Sequence, residues 1–363
     1  MFLTVGIAVY NIKEKFLREC IESVTANSGD FEIIIVDDCS DNGADRICEE
    51  YAGRDGRVRY IRNEKNTGVG AVRNKIIDEA RGKWLTFVDG DDAVSDRLCA
   101  ELFELCDSDF DVIRFERAVF KENLPHAKGR GTLTPLDKKT VFDIGVSAAV
   151  RHRLYDGAAA SLNVSPGLVT TAMYRREFLV KNKCRFDTEL KAAEDSLFTA
   201  GLCVMLPRAA ILSQPLYYYR NNPDSVTNKY DENSRAVTDA YLEKIRRFIG
   251  ERLSGDKKIT EYFYRYRCNL AVIDNFERNI FHRDNKKPIS ERKREFLKLV
   301  SEKPYSDGLK YAGECEVKKN RLVLTLAVKK RFFAINFAYR CSFIFRLYGG
   351  IYRRMEERLW KNR

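Results

Sequence analysis

The sequence predicts an α/β protein, a mostly parallel sheet flanked by helices, followed by a mainly helical, basic C-terminal region. Three observations carry this expectation. Short apolar runs, "LTVGIAV", "FEIIIV", "VRYI" and "WLTFV", recur about every 26 residues and end at Val9, Val36, Ile61 and Val88. The segments between them have helical periodicity, as in Phe16, Leu17, Cys20, Ile21 and Val24. Of the net charge of +11, thirteen Lys/Arg against two acids fall within residues 318–363, so residues 1–317 balance to zero.

Each element follows from its residues. Apolar runs without alternation imply strands buried on both faces, hence a parallel sheet between helices. Polar residues follow each run: Tyr10 and Asn11 after the first, Asp37 and Asp38 after the second, Asn63 and Asn66 after the third, and Asp89, Asp91 and Asp92 after the fourth. In a parallel sheet these all fall on one carboxyl edge, where open α/β sheets bind ligands. Asp111 to Phe120 reads as a further strand, and the stretch with Pro125, Gly129, Gly131 and Pro135 as a connection. Residues 167–179 suggest a strand entering a helix, residues 192–205 a helix with an acidic first turn, and "AILSQPLYYYR" a strand interrupted at Pro215. Helical patterns dominate from Asn233 onward, which divides the chain into residues 1–235 and 236–363.

Composition excludes several classes. Ten cysteines are scattered without C-x-x-C or paired His spacing, which argues against a zinc site or a secreted disulfide framework and for reduced thiols in a cytosol. The opening "MFLTVGIAVYN" lacks the basic start and long apolar core of a signal peptide and reads as a first strand. No G-x-x-x-x-G-K-[ST] is present, so a P-loop enzyme is out.

Asp89, Asp91 and Asp92 crowd three carboxylates into four positions. Such a cluster is costly unless a cation sits among them. A turn rich in Asp is the ordinary explanation. The buried strand in front and the shared edge with Asp37 and Asp38 favour a divalent cation on hard oxygen ligands. An EF-hand is excluded, because its later glycine and terminal Glu are missing.

These residues resemble the inverting family 2 glycosyltransferases of the GT-A fold. The resemblance rests on five ordered motifs: "VYN" (9–11), "IIIVDDCSDNG" (33–43), "NTGVGAVRN" (66–74), "GKWLTFVDGDD" (82–92) and "EDSLF" (194–198). It spans roughly residues 1–228, with "YYYRNNPDSVTN" near its end. The resemblance implies a GT-A catalytic domain, a nucleotide-sugar donor, and Mn²⁺ or Mg²⁺ on Asp91 with Asp89. It places Asp89 near the ribose or donor sugar, lets Asp92 assist with sugar or metal, and gives Asp38 a bond to a pyrimidine base, hence a UDP or dTDP donor. Tyr10, Asn11, Asn66 and Gly68 are implied to line the donor site, Arg73 and Arg220 to reach the diphosphate, and Ser225 to lie on a closing loop. Ala8 departs from the family, whose members often carry a small hydroxyl residue there. The alternative for Asp37 and Asp38 is helix capping before Ala44, which Asp41 could also provide. Arg73 and Arg220 could equally be solvated charges.

Transfer requires a base for the acceptor hydroxyl. The three histidines, His126, His152 and His282, lie outside every motif. The resemblance therefore points to Asp195 as base, with Glu194 orienting backbone or acceptor; the alternative is an acid favoured by a helix N-terminus. The expected acceptor is a cell-surface polysaccharide or lipid-linked glycan. A nucleotidyltransferase is the alternative enzyme, distinguished by pyrophosphate release, and a non-catalytic sugar-nucleotide or glycan-binding protein the alternative class. Residues 318–363 mix aromatics with Lys/Arg and contain no 18-residue apolar span, so they do not cross a bilayer. Lying on an anionic membrane surface at the inner face of the cell membrane and packing as a helical subdomain both stay open, and nothing upstream supports nucleic acid.

Overall fold

A computed structural model describes residues 1–126, 129–155, 167–222 and 229–340. The chain forms two compact units, Met1–Asn222 and Pro223–Arg363, a break upstream of the division read from the sequence.

In the first unit, β1 (Leu3–Val9), β2 (Phe31–Asp37), β3 (Val58–Arg62) and β4 (Trp84–Asp89) lie in the order β3-β2-β1-β4 with every pair parallel. Helices α1 (Glu14–Thr25), α2 (Ala44–Arg54) and α3 (Val69–Glu79) make the crossovers. Alternate residues of each strand serve different layers. Ile33 and Ile35 join Leu17, Ile21 and Ile47 in one core, and Ile34 and Val36 join Val72, Ile76 and Phe87 in the other. Both faces are therefore buried, which is why these runs do not alternate. Gly6 of β1 permits the approach of α3, because a Cβ there would lie 2.2 Å from Ile76 Cγ2.

Beyond β4 the sheet changes direction. With α4 (Leu98–Phe103) in between, β5 (Ala93–Val94) is followed by β6 (Val112–Phe120) and β7 (Leu133–Leu136). Helix α5 (Lys138–Val150) precedes β8 (Ala172–Arg175), which runs antiparallel to both β4 and β6. After α6 (Arg176–Lys181) and α7 (Glu194–Cys203), β9 (Ala209–Arg220) runs parallel to β6 and antiparallel to β5 and β7, completing nine strands. Pro215 does not interrupt β9. The register with β6 shifts around Glu116, and a bulge accommodates a residue that cannot donate to the ladder. β7 and α5 occupy the region read as a connection and the weakly patterned stretch after it. Asp137 caps α5, its carboxylate accepting from Thr140 N at 2.7 Å.

The described part of the second unit is helical. It comprises α8 (Ser234–Arg252), α9 (Lys257–Tyr262), α10 (Asn269–Asn275), α11 (Ile289–Ser301), α12 (Tyr305–Leu309), α13 (Lys318–Val328) and α14 (Phe332–Arg340), with π-helical turns at Phe263–Cys268 and Phe276–Ile280. Phe263, Phe276, Phe296, Tyr305 and Phe332 are fully buried within it. Among the described residues no helix is long and apolar enough to cross a membrane.

Candidate active site

The carboxyl ends of β1 and β2 are tied together by short polar contacts. Asn11, with φ of 51°, donates its N–H to Ser40 Oγ (2.9 Å), and its Oδ1 accepts from Asp41 N (2.9 Å). Asp37 is fully buried and accepts from Ser40 N (3.0 Å) and the Tyr60 hydroxyl (3.2 Å). Tyr10 stands exposed beside them. The alternative reading, in which Asp37, Asp38 or Asp41 caps α2, does not hold. The N-cap of α2 is Gly43, at φ 86°, and the side chain that serves the helix start is Asn42, whose Oδ1 accepts from Ala44 N (3.3 Å).

Asp38 is buried and shapes the next segment. Its carboxylate accepts from Asn63 Nδ2 (2.8 Å), Thr67 Oγ1 (2.8 Å), Thr67 N (2.9 Å) and Gly68 N (2.7 Å). Burial pushes its pKa up, but these donors together outweigh burial and hold it below the usual carboxylate value. Asp38 thereby fixes residues 63–68, with Asn66 exposed and Gly68 at φ 88°, a conformation suited to glycine, leading into α3. The remainder of this motif packs. A Cβ on Gly70 would lie 3.1 Å from Asp187 O, and the Asn74 amide pairs with both backbone groups of Phe186 at 2.9 Å.

The turn after β4 separates its three carboxylates into different roles. Gly90 N donates to Ala8 O (3.0 Å), and a Cβ there would crowd that oxygen at 2.9 Å. Asp92 turns inward and is 2% exposed; it accepts from the Tyr217 hydroxyl and from Arg220 N (2.8 Å). Burial, then the charges of Asp89 and Asp91, push its pKa up to about 8. Both hydrogen-bond donors, Tyr217 and Arg220, belong to β9, so Asp92 anchors the turn to that strand. Asp91 is part-buried, hydrogen-bonded to the Asn222 side chain, and raised in pKa by burial and by Asp89.

Both arginines expected at the diphosphate face inward, and neither is a solvated charge. Arg220 is 4% exposed, lies between the rings of Phe16 and Phe120 (4.4 and 4.5 Å), and donates to Asp91 O (2.6 Å) and Glu19 Oε2 (2.7 Å). Arg73 is 5% exposed and bridges Asp89 Oδ1 (2.8 Å) and Glu194 Oε1 (2.9 Å). Burial works against its charge, but Asp89, Glu194 and Asp195 hold it protonated. Glu194 is buried, and burial followed by Asp195 raises its pKa against the pull of Arg73. Asp195, part-exposed in the first turn of α7, accepts from Ser196 N at 2.6 Å.

Arg73 thus gathers the β4 turn and the acidic start of α7 into one site. Tyr217, Glu19 and Asn74 belong to its support and are absent from the sequence-based assignment. Tyr217 and Asp92 are 125 positions apart, and no local pattern connects them. Ser225 lies outside the described residues. Among the described residues no group of three His, Cys, Asp or Glu is arranged to hold a metal ion by itself. Asp89 is paired with Arg73 and Asp92 is turned inward, which leaves Asp91 as the carboxylate of the turn with no ion pair among those residues. These donors suit a cation that takes one protein carboxylate and completes its shell with substrate phosphates.

Residues 4–179 match the family described as Glycosyl transferase family 2. The protein named "Putative glycosyltransferase EpsH" of Bacillus subtilis (strain 168) is 25% identical over 362 residues, 98% of this chain and 97% of EpsH. The poly(ribitol-phosphate) beta-N-acetylglucosaminyltransferase TarS of Staphylococcus aureus (strain Mu50) is 28% identical over 223 residues, 60% of this chain and 35% of TarS. A crystal structure of S. aureus TarS residues 1–349 in complex with UDP-GlcNAc superimposes with a TM-score of 0.58, at 20% identity, over 94% of this chain and 92% of that one. That structural likeness is one of fold.

Proposed function

Because the chain belongs to glycosyl transferase family 2 and is a glycosyltransferase, we propose that it moves a hexose from a UDP-sugar, or a dTDP-sugar, to a hydroxyl of a cell-surface polysaccharide or lipid-linked glycan. The observation that carries this reading is the Arg73 bridge, which joins Asp89 of the donor edge to Glu194 beside the proposed base. The UDP-GlcNAc held by the TarS structure favours UDP among the two donors.

In this reading Asp195 takes the proton of the acceptor hydroxyl. The acceptor oxygen attacks the anomeric carbon from the face opposite the diphosphate. The bond from that carbon to the diphosphate oxygen breaks, its electron pair leaves with the nucleoside diphosphate, and configuration inverts. Glu194, locked by Arg73, fixes the helix start that aims Asp195. Asp38 holds the 63–68 segment that closes one side of the donor site, together with Tyr10 and Asn11. Mn²⁺ or Mg²⁺ on Asp91 would supply positive charge at the leaving diphosphate.

The free thiols of all cysteines among the described residues suit a reducing compartment. We place the reaction in the cytoplasm, with the acceptor presented at the inner face of the cell membrane. Calorimetry of UDP with and without Mn²⁺ tests the metal assignment. The metal should strengthen UDP binding to the wild type and have no effect on Asp91→Ala. Equal metal dependence in both proteins would move the ligand to another residue.

A further inference from the structure

Helix α14 carries apolar side chains on two opposite faces. Phe332 and Ile335 are buried, and the Tyr339 ring stacks on Phe281 at 5.4 Å, so one face belongs to the core of the helical unit. The other presents Phe333 and Phe337, one turn apart and 61% and 60% exposed. Leu322 of α13 and Val328 at its end are 53% and 51% exposed. A helix that is apolar all round is ordinarily buried on all sides, and this one is not.

The charge carried by α13, α14 and the turn between them has one sign, and of it Lys319 is paired with Glu277 at 2.9 Å. Seven Lys/Arg and no Asp or Glu lie between Lys318 and Arg340. Lys329, Lys330 and Arg331 are all exposed in the turn between α13 and α14, and Lys293 of α11 lies 5.4 Å from the centre of the Phe333 ring. An apolar stripe with a basic margin matches the boundary of an anionic bilayer, where rings reach the acyl region and ammonium and guanidinium groups meet lipid phosphates. α14 has nine residues, about 14 Å of helix against roughly 30 Å of hydrocarbon, so it would lie on the surface. A second copy is a poorer occupant, since an isologous contact would set two basic margins against each other. A soluble polyanion would leave the phenylalanines unused.

We infer that the outer face of α13 and α14 docks on an anionic lipid surface, with Phe333 and Phe337 inserted and Lys329, Lys330 and Arg331 on the headgroups. The inference extends the proposed location of the acceptor and rests on it for its purpose, but its test needs no sugar transfer.

The experiment is sedimentation of the full-length protein with phosphatidylglycerol-containing and with purely phosphatidylcholine vesicles, over a salt series. Binding should favour the anionic vesicles and weaken as salt rises. Phe333→Ser/Phe337→Ser, both exposed positions, should lower partitioning by about tenfold or more. Lys329→Gln/Lys330→Gln/Arg331→Gln should lower it by about a hundredfold and weaken the lipid preference. Wild-type binding by the phenylalanine variant, or indifference to lipid charge, would overturn the inference. So would an absence of vesicle binding combined with self-association that Phe333→Ser/Phe337→Ser abolishes, because the face would then be an interface between copies. UDP release from UDP-GlcNAc in the same preparations separates this outcome from a failure of the transfer reading, since neither variant substitutes a residue of the α/β site.

Discussion

Asp38 illustrates how one carboxylate organises a ligand-binding edge. Its four donors come from a loop with no regular structure of its own, so the carboxylate supplies the order that secondary structure does not. Asp38→Asn should cost on the order of 2 kcal/mol or more, read from urea denaturation at pH 7. The sign with pH follows from the direction of the shift. A folded pKa below the unfolded value, about 3.9, stabilises above that value, and the contribution is lost as pH falls through the folded one. The gap between wild type and Asp38→Asn should therefore narrow below about pH 4; a gap that widens in acid would contradict it. Tyr217→Phe removes one of two partners of buried Asp92 and should cost about 1–3 kcal/mol while weakening donor binding. Unchanged stability and unchanged UDP affinity would show that Asp92 does not depend on that hydroxyl. Residues such as Asn11, Asp38 and Asp91 were legible because each follows a strand within a contiguous motif. The contacts of Arg73 and Arg220 were not, since their partners Glu194 and Glu19 are 121 and 201 positions away.

The first four strands announced themselves because burial on both faces leaves uninterrupted apolar runs, and a crossover helix spaces them evenly. β5, β7 and β8 have two to four residues each, too few for a period to register. From sequence β9 reads as a strand cut at Pro215, since a bulge is a property of the pair and not of either strand. α5 is hidden because eight of its ten residues from Val141 to Val150 are packed, which blurs a one-faced pattern. Packing between elements makes its own prediction at Gly6. Gly6→Ala would overpack against Ile76 and should cost about 1–3 kcal/mol. Ile76→Ala removes the methyl that clashes, so the double variant should be less destabilised than the sum of the two singles. Strict additivity in thermal or urea unfolding would mean that α3 shifts away instead of meeting the added methyl.

At the level of the whole molecule, chemistry and charge are divided between two units. The α/β unit carries all five ordered motifs, and the residues responsible for the excess positive charge begin at Lys318, in the helical unit. The match to glycosyl transferase family 2 and the fold are readable from ordered motifs in the first 228 residues. The helical unit offered only composition, and its exposed Phe333 and Phe337 became visible only when the packing of α14 separated inner from outer rings. The central claim is that the α/β unit transfers a sugar with Asp195 as base, next to a Glu194 that Arg73 ties to the donor edge. Asp195→Asn tests it most directly, by UDP affinity from calorimetry and transfer rate with UDP-GlcNAc and a glycan acceptor measured on the same protein. The account predicts unchanged UDP affinity and a rate lowered by about 10²- to 10⁴-fold; a rate within a few-fold of wild type would contradict it.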